Sequence, residues 1–151
     1  MMLSANHTAD SSRPARPWRV TLFSLAVLVL GCGLNLLRAA WAWRQAHALA
    51  DLPTPTSMPM ALLAVTSLAW GIVFGLCALG LWRLRPWAHK CVLAAVSLFH
   101  AHIWLNHLLF DRSDYARQVW PFAIAHTLAS LLLVWGFMYW PAVRRLYDEP
   151  Q

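Results

Sequence analysis

Four stretches of this chain carry no Asp, Glu, Lys or Arg: Val20–Leu37, Leu52–Trp82, Cys91–Phe110 and Gln118–Val143. They contain 18, 31, 20 and 26 residues. A bilayer core roughly 30 Å thick is crossed by about 20 helical residues. Each stretch therefore supplies one span, and none is long enough for two spans and a turn. Lipid offers nothing to bond free backbone groups, so a crossing segment is a helix or part of a closed barrel. Barrel strands alternate in polarity over about ten residues. The runs Leu25–Leu30 and Leu131–Val134 do not alternate. A helix lying flat on the membrane would show one charged face, and these runs show none.

Composition closes the soluble alternatives. Hydrophobic residues make up 60% of the 151 and charged residues 12%, against about 25% charged in ordinary soluble domains. Mean hydropathy is +0.49. So few charges do not cover a core built from so much apolar material, and a chain this short does not bury four such helices in water. A soluble enzyme domain, a disordered chain and a nucleic-acid module all fall away. The expected fold is all-α: an integral membrane four-helix bundle with spans at about 18–39, 59–82, 86–110 and 118–141. Residues 1–17 form a flexible N-terminal segment, 18–143 the transmembrane domain and 144–151 a solvent-facing tail. The first apolar run follows Arg13, Arg16 and Arg19 as a signal peptide would. It continues through Leu34, Leu36 and Leu37, and its one small-x-small site, Ala48-Leu49-Ala50, lies far beyond it. It reads as a retained anchor.

Orientation follows from positive charge. The N-terminus, the second connection and the C-terminus hold Arg13, Arg16, Arg19, Arg83, Arg85, Lys90, Arg144 and Arg145; the other side holds Arg38, Arg44, Arg112 and Arg117. Eight against four places both termini in the cytoplasm. The net charge of +6 is then the charge of membrane flanks meeting anionic lipid. The expected location is the bacterial cytoplasmic (inner) membrane, multi-pass, and nucleic acid is not an expected partner.

Ala64, Ser67, Gly71, Gly75 and Ala78 recur three or four apart, which puts small residues on one face of the second helix and lets another backbone approach. Acidic and basic side chains are absent from hydrocarbon depth. That disfavours a proton-driven small-molecule carrier, which is retained only as an alternative. The polar residues left inside are Asn35, His100, His102, Asn106, His107 and His126. At about 1.5 Å per residue, His100 lies about 15 Å below Phe110 and His126 about 13 Å below Arg117. The two meet at similar depth on neighbouring antiparallel helices. Helical spacing gives the third span two polar stripes, His100-Trp104-His107 and His102-Asn106.

Two imidazoles on facing helices suit axial ligation of haem iron, and His100 or His102 with His126 is the candidate pair. Zinc would ask for three or four ligands, and His100, His107 and His126 without a carboxylate are an incomplete set. His107, Asn106, Trp104 and Arg112 cluster towards the external end and suit a quinone or a lipid headgroup. Cys32, Cys77 and Cys91 are widely separated and read as apolar fillers. The leading expectation is a structural or accessory membrane protein with no catalytic activity or cofactor of its own. Its partners are membrane lipids and other integral membrane subunits or a second copy of itself. The alternative is a haem b- or quinone-binding electron-transfer subunit.

Three segments, Asn35-Leu36-Leu37-Arg38-Ala39, Leu68-Ala69-Trp70-Gly71 and Gly80-Leu81-Trp82-Arg83-Leu84-Arg85-Pro86-Trp87-Ala88, resemble those of small four-span bacterial integral membrane proteins of uncharacterised function. The resemblance implies the same four-span layout and brings no activity or functional residue.

Overall fold

The computed structural model describes residues 18–48, 59–110 and 114–148. Of these, 96% are helical and none is in a strand. Four helices are long and apolar enough to cross a membrane. The first is one rod, Trp18–Ala48. It is built from α1 (Trp18–Ala26), a π-helical stretch (Val27–Gly33) and α2 (Leu34–Ala48). The others are α3 (Met60–Trp82), α4 (Pro86–Phe110) and α5 (Asp114–Tyr139), followed by a short α6 (Pro141–Asp148).

The π-helical stretch has a local cause and a local remedy. Gly31 and Gly33 present no side chain to resist the wider turn, and Leu34 N–H reaches back five residues to the Val29 carbonyl. Asn35 Nδ2 donates to the Gly31 carbonyl at 2.7 Å, so its amide is bonded inside its own helix.

Prolines set several helix ends. Pro86 is the first residue of α4, where its missing N–H costs nothing. Pro59 sits one place before α3 in an extended conformation, and its carbonyl accepts Leu63 N–H at 3.1 Å. Pro121 lies well inside α5, because that helix begins at Asp114, a turn earlier than the charge-free run. Between α3 and α4, Arg85 N–H bonds the Gly80 carbonyl and Leu84 N–H bonds that of Leu81. This pair is the Schellman ending of α3, with Leu84 in the left-handed conformation at φ 52°.

The packing order is the rod on α3, α3 on α4, and α4 on α5. Antiparallel neighbours follow from the tight α3–α4 turn. The rod and α5 meet near that turn, where Phe23 stacks on Phe137 with ring centroids 4.3 Å apart. The densest core lies at this same end. Val20, Leu81, Ala88, Val92 and Met138 are fully buried there, joined by Val143 and Tyr147 from α6. Residues 144–148, expected as part of a solvent-facing tail, thus belong to a helix that folds back against α4 and α5. Only one of its faces is wet: Arg144 and Arg145 are exposed. His89 Nε2 donates to the Met138 carbonyl at 3.1 Å, satisfying an acceptor that the end of α5 leaves free.

Along α3, Ala64, Ser67, Gly71 and Ala78 are buried and Gly75 is half-buried. A Cβ on Gly71 would lie 2.8 Å from Leu36 Cδ2 and 3.5 Å from its backbone nitrogen. One on Gly75 would lie 3.4 Å from Cys32 Sγ. The small-residue face therefore meets the rod at near-backbone contact.

Candidate functional site

The two polar stripes of α4 point to different neighbours. His100 and Trp104 face α5. His100 is 7% exposed, and its Nε2 lies 2.6 Å from Ser130 Oγ. The Ser130 hydroxyl donates to the His126 carbonyl at 2.7 Å, so its oxygen accepts from His100 Nε2–H. The His100 proton is then on Nε2, and Nδ1 is a buried acceptor without a hydrogen-bond partner. One turn along, Trp104 Nε1 donates to Thr127 Oγ1 at 3.1 Å. With His89, these bonds form a ladder holding α5 to α4. The imidazole rings of His100 and His126 are 6.4 Å apart. His126 is exposed, and its imidazole has no hydrogen-bond partner among the described residues.

His102 and Asn106 point the other way. Asn106 Nδ2 donates to His102 Nε2 at 3.0 Å, which leaves the His102 proton on Nδ1. Both line an open cavity of about 220 Å³ between α2, α3 and α4, at the end remote from the α3–α4 turn. Arg38, Asn35, Thr66, Ser67 and His107 share its wall, with Trp70, Phe99 and Phe110 as apolar lining. Thr66 donates to the Leu62 carbonyl at 2.9 Å, so it offers only lone pairs. Trp70 packs edge-on to Phe99 at 5.3 Å and lies 6.0 Å from the His102 ring. The His107 ring sits 5.6 Å from Trp104, so it stands between the two faces.

The residues singled out from sequence are thus divided. His100, Trp104 and His126 gather at the α4–α5 interface, whereas His102, Asn106 and His107 gather at the cavity. Arg112 lies outside the described residues. Of the two histidine pairs considered for haem, His100 with His126 is brought together. Among the described residues no three His, Cys, Asp or Glu side chains converge on one point. Sequence reasoning missed Arg38 as a cavity residue and Ser130 and Thr127 as the acceptors on α5. Arg38 follows Asn35 by one helical turn, and Thr127 and Ser130 are three apart, which is the signal both cases offered.

No family model, curated protein or solved structure matches this chain.

Proposed function

We propose that this chain is an accessory integral membrane protein, without catalysis of its own, that packs through α5 against another membrane-spanning helix. One observation carries the reading: α5 presents an unbonded imidazole at lipid depth. His126 is exposed six residues after Trp120, about 9 Å into the span. A polar side chain there is costly unless something bonds it.

The rest of α5 agrees. Only 6% of its apolar window is buried, against 17–33% in the other three spans. Its exposed surface has two characters. Ile124, Leu128, Leu132 and Trp135 form a bulky stripe suited to lipid chains, whereas Ala125, Ala129 and Gly136 form a narrow small stripe between it and the exposed Phe122 and Leu133, suited to a close-packed helix. A Cβ on Gly136 would meet nothing within 4 Å, so that stripe is open. The positive-charge asymmetry supports an arrangement with both termini in the cytoplasm, and the resemblance to small four-span bacterial proteins supports an inner membrane.

Site-specific photocrosslinking in native membranes tests this. Probes at 125, 129 and 136 are expected to give one discrete protein adduct, and probes at 128, 132 and 135 lipid adducts only. Gly136→Leu is expected to abolish the protein adduct without lowering the melting temperature of the isolated chain. Uniform lipid labelling around α5 sinks the reading.

Haem between His100 and His126 is the competing reading, favoured by their 6.4 Å ring separation. Against it, His100 Nε2 is already committed to Ser130. Protein purified gently from its native membrane is expected to show no Soret band. A stoichiometric band that His126→Ala removes would replace the accessory reading with electron transfer.

A further inference from the structure

The cavity between α2, α3 and α4 has an electrostatic imbalance. Arg38 brings a full positive charge to its wall, and among the described residues no carboxylate lines it. No ion pair or hydrogen bond ties the Arg38 guanidinium to another described residue. The neutral groups beside it are mostly spare donors. His102 keeps Nδ1–H free because Asn106 occupies Nε2. Asn35 spends one amide hydrogen on Gly31 and has a second. A guanidinium with several N–H groups in a weakly polar setting is a receptor for a bidentate anion.

Position and lining select among anions. Arg38 stands twenty residues after Trp18 in one rod, about 30 Å along it. That distance is the thickness of the hydrocarbon layer, so Arg38 lies at the headgroup level of the leaflet remote from the α3–α4 turn. Beside it the lining turns apolar through Trp70, Phe99 and Phe110. A small hydrophilic ion gains nothing from those rings. An amphiphile gains from both, with its charged head on the polar rim and the start of its chains on the aromatic wall. The volume of about 220 Å³ is that of about seven waters, enough for a phosphodiester and part of its glycerol.

We infer that this cavity holds the phosphodiester head of an anionic phospholipid, with Arg38 as the charged contact and His102, Asn106 and Asn35 as neutral donors. The inference rests on the membrane reading given above, but not on the partner helix at α5. Phosphate is the shared chemistry of a lipid head and of the free ion, and the apolar wall favours the lipid.

The test uses the full chain in detergent and native mass spectrometry. Phosphatidylglycerol, phosphatidylcholine and inorganic phosphate are added separately, then phosphate in competition with phosphatidylglycerol. Expected is one retained phosphatidylglycerol, held at least about tenfold more tightly than phosphatidylcholine and not displaced by millimolar phosphate. Arg38→Gln should weaken it about tenfold, the loss of one charge-assisted contact, and Arg38→Lys, which keeps the charge but loses the bidentate fork, should restore only part of the binding. If the Arg38 variant aggregates, Asn106→Asp, which sets a carboxylate against the phosphate, should give a comparable loss. Equal retention by wild type and both variants overturns the site. Equal retention of the two lipids overturns the anionic assignment, and displacement by phosphate overturns the lipid one. The crosslinking at α5 is a separate readout, so either proposal fails without the other.

Discussion

Gly71→Ile is expected to lower the stability of the detergent-solubilised chain by roughly 3 kcal/mol, the upper part of the range for overpacking a tight contact. For a chain of this length that corresponds to a fall in melting temperature of roughly 6–12 °C at about 2–4 °C per kcal/mol. Gly71 sits at a close approach of α3 to α2: its Cβ would fall 2.8 Å from Leu36 Cδ2 and 3.5 Å from the Leu36 nitrogen. The first neighbour is the far end of a flexible side chain and can turn away, whereas the second is backbone and cannot. Gly71→Ala therefore stays within about 1 kcal/mol of wild type, its helix propensity gain of about 1 kcal/mol offsetting the displaced leucine. A β-branched residue adds a second methyl that the backbone refuses. Gly136→Leu is the matched control, since that position has no neighbour within 4 Å. Scanning calorimetry or a tryptophan-fluorescence melt reads all three. A Gly71→Ile chain that melts like wild type shows that the α2–α3 contact is looser than described.

The second large effect lies in the ladder between α4 and α5. Ser130→Ala removes the acceptor of His100 Nε2–H and leaves a buried imidazole with both nitrogens unbonded. The expected cost is about 1–2 kcal/mol, near the upper limit measured for interhelical hydrogen bonds in membranes. His100→Leu should cost less, because it removes the bonded nitrogen and the bare Nδ1 together and fills similar space. The double variant should then resemble His100→Leu alone, with a coupling energy of about 1 kcal/mol. Additive losses would mean that the two side chains stabilise the interface separately. The 2.6 Å contact would then carry little of it.

How much of this was readable from residues alone depended on what each feature needs. The four long apolar helices needed only the spacing of charges along the chain, and Pro86 fixed where α4 starts. The opposite pointing of His100 and His102 followed from helical angles, since two residues in one helix cannot share a face at 200°. Features that depend on two segments meeting were hidden. Arg38 reads as a membrane-edge cation until α3 and α4 close a cavity against it. Ser130 reads as an isolated hydroxyl until α5 lies against α4. The π-helical stretch was invisible because Val27–Gly33 is apolar throughout, so one extra residue per turn leaves no trace in the hydropathy pattern. The last helix was missed for a different reason. Arg144 and Arg145 suggest water, and they hide that Val143 and Tyr147 are four apart and share the opposite face.

The fold-back of α6 has a consequence for the order of events during synthesis. Val20, near the beginning of the first rod, shares one core with Met138, Val143 and Tyr147. The rod and α3 can settle against each other while later segments are still emerging, since their contacts are close along the chain. The shared core cannot close until residue 147 has been made, so its assembly waits on bringing together residues from near opposite ends of the described chain. A chain stopped before Pro141 would carry all four apolar helices and lack the α6 contacts, a species that quality-control proteases would meet with that end of α4 and α5 uncovered.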